Sequence, residues 1–268
     1  MIWWGSLDSG ELLDDSARPI SYRDRGFLVG EGVFETLVVR NGVPFALTRH
    51  LDRLQRSAEI LGLPALDLAV IKGAITSVVE ANLAQVGELG RLRITISSGD
   101  GRPRVLVTMM EQASWPETTS VITVPWVRNE RSAIVGAKTT SYAENVAALA
   151  AVQARGVSEA LMANTTGLLC EGTTSNVFVV IDGVVQTPSL SSGCLPGVTR
   201  GLVLEWCGAV EAELPFEVLQ YADEVFLTSS TREVHPVHQL DDRVLDSRPI
   251  GTELRALFHS LAASTVNP

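Results

Sequence analysis

Lysine is nearly missing from this chain: of 21 lysine and arginine residues, only Lys72 and Lys138 are lysines. Arginine serves solubility and ion pairing as well as lysine does, but its guanidinium stays protonated and forms no imine. A lysine kept in such a chain is therefore a candidate for amine chemistry. Cysteine is scarce as well. Cys170, Cys194 and Cys207 are too few and too irregularly spaced for a disulfide framework or a zinc site, and no metal is expected. No window reaches the ~18 unbroken apolar residues of a membrane helix. The opening MIWWGSLDSGELLDD has neither a basic leader nor an apolar stretch of signal-peptide length. A reducing cytoplasm, away from any membrane, is the expected setting. Positive charge is short too. A net charge of −10 speaks against a nucleic-acid partner, because phosphate neutralisation needs clustered Lys and Arg. An anionic ligand has to be held by local arginines against an unfavourable overall field.

What is present is globular. The 268 residues are 46% hydrophobic and 19% charged, enough for one large domain or two modest ones. IWWGSLDSGELL reads as a hairpin closed by Ser9 and Gly10, and GVFETLVVRNGVPFAL as another turning at Asn41-Gly42. Helical spacing predicts helices over about 48–61 and 66–83, followed by two antiparallel strands in RLRITISSGDGRPRVLVTMM. This predicts a small α+β domain over 1–110. EQASWPETTS reads as a linker, taken as 111–120. Residues 121–268 form a larger domain, with a strand at VITVPWV and a helix over 142–155. Strands follow at ALMANT, NVFVVIDGVVQTP and EVFLTSS, with helices after Pro196-Gly197 and over 252–263. No internal repeat is visible.

Four features carry chemistry. Lys72 falls among the small and polar positions of a helical pattern, as a solvated helix face would have it, whereas Lys138 lies between a β-prone run and a helix. In LPGVTRGL the helix after Gly197 presents backbone N–H groups at Val198 and Thr199, a ready anion cradle or an ordinary Pro-Gly turn. Ser229, Ser230 and Thr231 in FLTSSTREV are further hydroxyl donors. Glu171, in GLLCEGTTSNVFVV, is an odd choice beside an apolar run, since an ionised carboxylate there needs a partner. A cationic ligand ring or an arginine would serve. His235 and His238 form an HxxH, but Pro236 would break a helical pairing, so they read as loop histidines.

CEGTTSNVF resembles the signature of the class IV aminotransferases, the fold-type IV enzymes that carry pyridoxal 5'-phosphate (PLP). Other landmarks stand in the family's order: DRGFLVGEGVFET at 24–36, RHLDRLQRSAEILGL at 49–63, AKTTSYAEN at 137–145, PGVTR at 196–200 and EVFLTSSTREVHPV at 224–237. The resemblance covers nearly the whole chain. It implies a small N-terminal α/β domain, a larger C-terminal barrel-like domain (the D-amino acid aminotransferase-like fold), and a homodimer with PLP at the domain interface. It makes Lys138 the Schiff-base lysine and Glu171 the partner of the pyridine nitrogen. Arg53 and the backbone of Val198 and Thr199 would bind the phosphate with help from Ser230, and Tyr142 would lie near the ring. Arg93, or else Arg232 with the preceding Thr231, would meet a small amine substrate. The length and KTTSYAEN look more like the 4-amino-4-deoxychorismate lyases, and STREVHPV more like an aminotransferase of the branched-chain or D-amino acid type. A protein that only binds PLP is the non-catalytic alternative.

Overall fold

The turn signal at Asn41 and Gly42 is realised in the backbone. In the computed structural model, which describes residues 1–17 and 19–268, both residues have positive φ, 47° and 80°. A two-residue turn that follows the strand twist requires this. It joins β3 (Gly32–Arg40) to β4 (Val43–Pro44). The first hairpin also forms, from β1 (Ile2–Gly5) and β2 (Gly10–Leu13), but its turn spans 6–9, with Gly10 already paired to Gly5.

The described residues divide into two compact units: Met1–Ala113 with Ala137–Tyr142 and Val266–Pro268, and Ser114–Gly136 with Ala143–Thr265. The segment around Lys138, which the sequence reading left with the second region, packs with the first unit because its backbone pairs there. The Lys138 carbonyl accepts from Phe34 N at 2.9 Å, Thr140 N donates to Gly32 O at 2.8 Å, and Val33 and Thr139 form a β-bridge.

In the first unit a short helix α1 (Arg25–Val29) precedes β3. After β4 come α2 (Leu47–Ile60), α3 (Leu68–Val86), β5 (Leu89–Ser97) and β6 (Arg104–Glu111). The sheet runs β2-β1-β6-β5-β3-β4, with every pairing antiparallel. The period-two pattern is clean on one face. Leu92, Ile94 and Ile96 of β5 stand opposite Leu37, Glu35 and Val33 on one side and Met109, Val107 and Val105 on the other. Leu51 and Leu54 of α2 and Ile71, Ile75 and Val78 of α3 belong to the same core. Each such buried side chain stabilises the unit by roughly 1.5–3 kcal/mol. One member of that apolar face is a carboxylate, Glu35.

The second unit holds β7 (Thr119–Arg128), α4 (Ala143–Gln153), β8 (Glu159–Asn164), β9 (Leu169–Gly172), β10 (Asn176–Ile181) and β11 (Val184–Pro188). These are followed by α5 (Val198–Cys207), β12 (Val210–Ala212), β13 (Glu224–Ser229), β14 (Glu233–Leu240), β15 (Arg243–Val244) and α6 (Pro249–Ser264). The sheet order is β12-β11-β10-β13-β14-β7-β8-β9, with β15 on β14. Phe178 and Phe226 stack with centroids 4.9 Å apart in its core.

Strands β9, β12, β14 and β15 escaped the sequence reading. The loop expected around His235 and His238 is corrected to strand β14, where Pro236 stands opposite Phe226. The proline and two histidines hide the strand pattern, yet Glu233–Val237 is buried on both faces. Ahead of Pro196-Gly197, β11 ends at Pro188, and a 3₁₀ turn at Leu190–Ser192 leads to α5. Among the described residues no helix is long and apolar enough to cross a membrane.

Helix α6 has no side-chain cap at Arg248. Its first amides are answered from β13 instead: Glu224 Oε1 accepts from Ile250 N at 3.0 Å and Oε2 from Gly251 N at 2.7 Å. A buried carboxylate there satisfies two donors and meets the positive end of the helix dipole. Glu224→Ala should therefore cost about 1–3 kcal/mol of stability by denaturant titration, with exposed Glu80→Ala nearly neutral. Equal effects would remove Glu224 from this role.

Candidate functional site

The stripe of α2 that faces the sheet carries His50, Arg53 and Ser57 among Leu51, Leu54 and Ala58, all buried. Polar groups survive there because Glu35 lies opposite. Arg53 donates to it twice, Nε to Oε1 at 2.7 Å and Nη2 to Oε2 at 2.8 Å, and His50 Nδ1 lies 2.7 Å from Oε2. Burial alone would raise the Glu35 carboxyl. The Arg53 guanidinium and then His50 outweigh it and hold the group well below the usual carboxylate range. Burial lowers His50 from its ordinary value even against the pull of Glu35. The pair of donors from one guanidinium fixes its plane as well as its charge.

The same helix steadies the lysine. Ser57 Oγ accepts from Lys138 N at 3.0 Å and itself donates to Arg53 O at 2.8 Å. The Lys138 amino nitrogen lies 4.4 Å from the Phe34 ring centroid and 5.7 Å from that of Tyr142. The two rings meet edge to face at 5.5 Å. Arg93 packs its guanidinium 3.8 Å from the Phe34 centroid and donates Nε to Thr95 Oγ1 at 3.1 Å. Burial lowers the Arg93 pKa. Thus the structure brings Arg53, Arg93, Lys138 and Tyr142 into one neighbourhood of the first unit, built on Phe34 and Glu35. The sequence reading missed Glu35, His50 and Ser57. Their signal was present: one acid inside an apolar strand, and polar residues at positions 50, 53 and 57 of a helical stripe.

Glu171, Val198, Thr199, Ser230, Thr231 and Arg232 belong to the second unit. Glu171 sits on β9 with both oxygens engaged, Oε1 by Arg128 Nε at 3.0 Å and Oε2 by Leu195 N at 2.9 Å. Val198 and Thr199 form the buried first turn of α5, which begins at Gly197 without a side-chain cap. A Cβ on Gly197 would stand 2.0 Å from Asn176 Oδ1, so glycine is needed for the helix start to approach β10. Asn176 is paired with Thr228 of β13, whose hydroxyl is buried with no hydrogen-bond partner among the described residues. An uncapped helix start, glycine at its approach and an unanswered hydroxyl make a donor set suited to a phosphate. Ser230 and Thr231 lie in the turn that follows β13.

Arg232 is committed elsewhere. Nη2 donates to Ser158 O at 2.9 Å, Nη1 to Ser158 Oγ at 3.1 Å, and the guanidinium lies 3.8 Å from the Trp115 centroid. Burial and then the Arg232 charge push His235 down to about 4, leaving it neutral. Among the described residues no three His, Cys, Asp or Glu side chains gather as metal ligands. Burial also pushes the thiols beside the Glu171 and Leu195 contact upward, Cys194 to about 11, so they are poor nucleophiles.

The Glu35 cluster yields a prediction with a pH signature. Glu35→Gln leaves buried Arg53 without its counter-charge and should cost about 3–5 kcal/mol near neutral pH. Because the folded pKa of Glu35 is depressed, its contribution is complete above the unfolded carboxyl value of about 4.3 and is lost as pH falls. The gap between wild type and variant should narrow in acid, and a gap independent of pH would contradict the ion pair.

Comparison with known proteins identifies the family of the chain. The family model for amino-transferase class IV matches residues 32–240. A bifunctional aminodeoxychorismate lyase / D-amino acid transaminase of Mycobacterium tuberculosis is 29% identical, the alignment covering 95% of this chain and 97% of that protein. Among solved structures, the fold IV transaminase CpuTA1 of Curtobacterium pusillum superposes with a TM-score of 0.87 at 30% identity, over 96% of this chain and 99% of that one. A "hypothetical aminotransferase" of M. tuberculosis in its PLP-bound form gives a TM-score of 0.85 at 28% identity, over 96% and 99%. The chain belongs to the class IV aminotransferase family, and is a PLP-dependent transaminase or lyase of the α+β fold-type IV class.

Proposed function

We propose that this enzyme eliminates pyruvate from 4-amino-4-deoxychorismate to give 4-aminobenzoate, with Lys138 as the residue that holds PLP and moves the proton. The observation that carries this reading is the seating of the Lys138 amine against Phe34 and Tyr142, on a segment fixed by Ser57, Gly32 and Phe34. PLP supplies, when bound, an aldehyde that amines attack and a ring that takes up the electron pair left by deprotonation.

Arg53, the Val198 and Thr199 amides and Ser230 would hold its phosphate. Glu171 would face the ring nitrogen, its charge kept by Arg128 and Leu195 N. Tyr142 would border the ring. The Lys138 amine would remove the proton from the amine-bearing carbon of the substrate. The adjacent carbon–oxygen bond then breaks with its electron pair leaving on oxygen, the substrate ring becomes aromatic, and the expelled enolate takes up a proton at its methylene carbon to become pyruvate. Arg93 would hold a substrate carboxylate. With Arg232 engaged by Ser158 and Trp115, we assign it and Thr231 to shaping the turn at the substrate's edge. We also infer a homodimer in the cytoplasm. Support for the dimer comes from the exposed Tyr22, Phe27, Leu28 and Val29 in and before α1, an apolar cluster of the kind that interfaces cover.

Amino transfer is the second reading, favoured by the cationic Arg93 beside Lys138, which suits the carboxylate of an α-amino acid equally well. One experiment separates the two fates. A lyase releases 4-aminobenzoate from aminodeoxychorismate with no oxo acid required, and its visible cofactor band returns after each turnover. Should an amino acid alone bleach that band until an oxo acid restores it, the enzyme is an aminotransferase.

A further inference from the structure

Glu159 is fully buried at the start of β8, and no role in binding cofactor or substrate has been given to it. Its carboxylate gathers the turn directly behind Glu171. Oε1 accepts from Thr173 N at 2.9 Å and from the Thr173 hydroxyl; Oε2 accepts from Thr174 N at 3.2 Å, Thr174 Oγ1 at 2.6 Å and Ser175 Oγ at 2.9 Å. Gly172 makes room for this, since a Cβ there would stand 3.1 Å from Glu159 Cγ and Cδ and 2.6 Å from Ser175 Oγ. The turn is closed on itself by Gly172 N donating to Ser175 O at 2.7 Å and held from outside by Asn145 Nδ2 donating to Thr173 O at 2.6 Å.

A buried carboxylate is costly unless several donors answer it. Main-chain carbonyls would satisfy these amides without charge. The chain instead spends three hydroxyls and three amides, the third being Ala160 N at 3.1 Å, on one anion, and hydrogen bonds to an anion are about twice as strong as neutral ones. The turn they hold follows directly on β9, which ends in Glu171 and Gly172. The three hydroxyls of the signature CEGTTSN therefore point at Glu159.

We propose that Glu159 is a positioning residue: by clamping the turn Gly172–Ser175 it aims the Glu171 carboxylate. The catalytic consequence rests on the reading that Glu171 faces the cofactor ring nitrogen; the aim itself does not. Leu195 N donates to Glu171 Oε2, so exchange of that amide reports where the carboxylate lies, with or without PLP.

The test is hydrogen exchange of the peptide over 190–197 in full-length Glu159→Gln, loaded and unloaded, beside steady-state kinetics. Exchange at Leu195 should quicken about tenfold while α6 peptides keep their wild-type rates. The rate constant kcat should fall about tenfold or more with KM changed less than about twofold, and the double variant with Glu171→Gln should be no slower than Glu171→Gln alone. Wild-type exchange at Leu195 in folded Glu159→Gln, or losses that simply add in the double variant, would overturn the proposal. If Glu159→Gln does not fold, Thr174→Val and Ser175→Ala each remove one donor and should quicken Leu195 exchange in smaller measure; no change in either also overturns it. Full activity of Glu171→Gln would sink the ring-nitrogen assignment alone, leaving the exchange result to decide the clamp.

Discussion

A carboxylate set into the apolar face of a sheet has to be answered on the spot, and the first unit is organised around that demand at Glu35. The sheet face on which it sits is otherwise valine, leucine, isoleucine and methionine, and the helix packed there would ordinarily be apolar too. Because Glu35 is charged, α2 must bring Arg53 and His50 to it. Arg53 is thereby held in one orientation on the helix whose next turn, at Ser57, grips the backbone of Lys138. The fold thus uses one ion pair both to tolerate a buried charge and to fix the helix that grips the Lys138 backbone. Truncating any member leaves another buried and unmatched, which makes the arrangement stiff.

The second unit repeats the device three times. Glu171 is held by Arg128 and Leu195 N, Glu159 by the turn behind it, and Glu224 by the first amides of α6. In each case a strand supplies the acid and a loop or helix start supplies at least one amide donor, with Arg128 of β7 added at Glu171. This lets an irregular segment be placed with the accuracy of a sheet, which catalytic positioning needs and loops alone provide poorly. Arg232 follows the same logic with the sign reversed, its guanidinium taken up by Ser158 and the Trp115 ring.

Much of this was legible in the sequence. The hairpins and the helices followed from Asn41-Gly42 and from helical spacing, Lys138 stood out as a candidate in a lysine-poor chain, and the class of chemistry came from the resemblance of CEGTTSNVF and the motifs in order with it. What was hidden shares a cause. Strand β14 was obscured by Pro236 and two histidines, because its burial on both faces leaves no alternation to read. Glu35 and Glu159 were passed over because each is matched by residues far off in the chain or by a turn whose hydroxyls looked commonplace. The reasoning that singled out Glu171, an acid where an apolar residue belongs, applies to both. The turn Thr173–Ser175 is instructive: its hydroxyls marked the family, while their physical employment as donors to Glu159 needs three dimensions to see.

The central claim is that Lys138 is the residue on which PLP is carried. Borohydride reduction of the PLP-loaded protein, followed by proteolysis and mass spectrometry of the peptides, tests it without reference to any substrate. The phosphopyridoxyl mass should be found on the peptide containing Lys138 and not on that containing Lys72. A label on Lys72, or none on either lysine in protein that retains its visible band, would contradict the account.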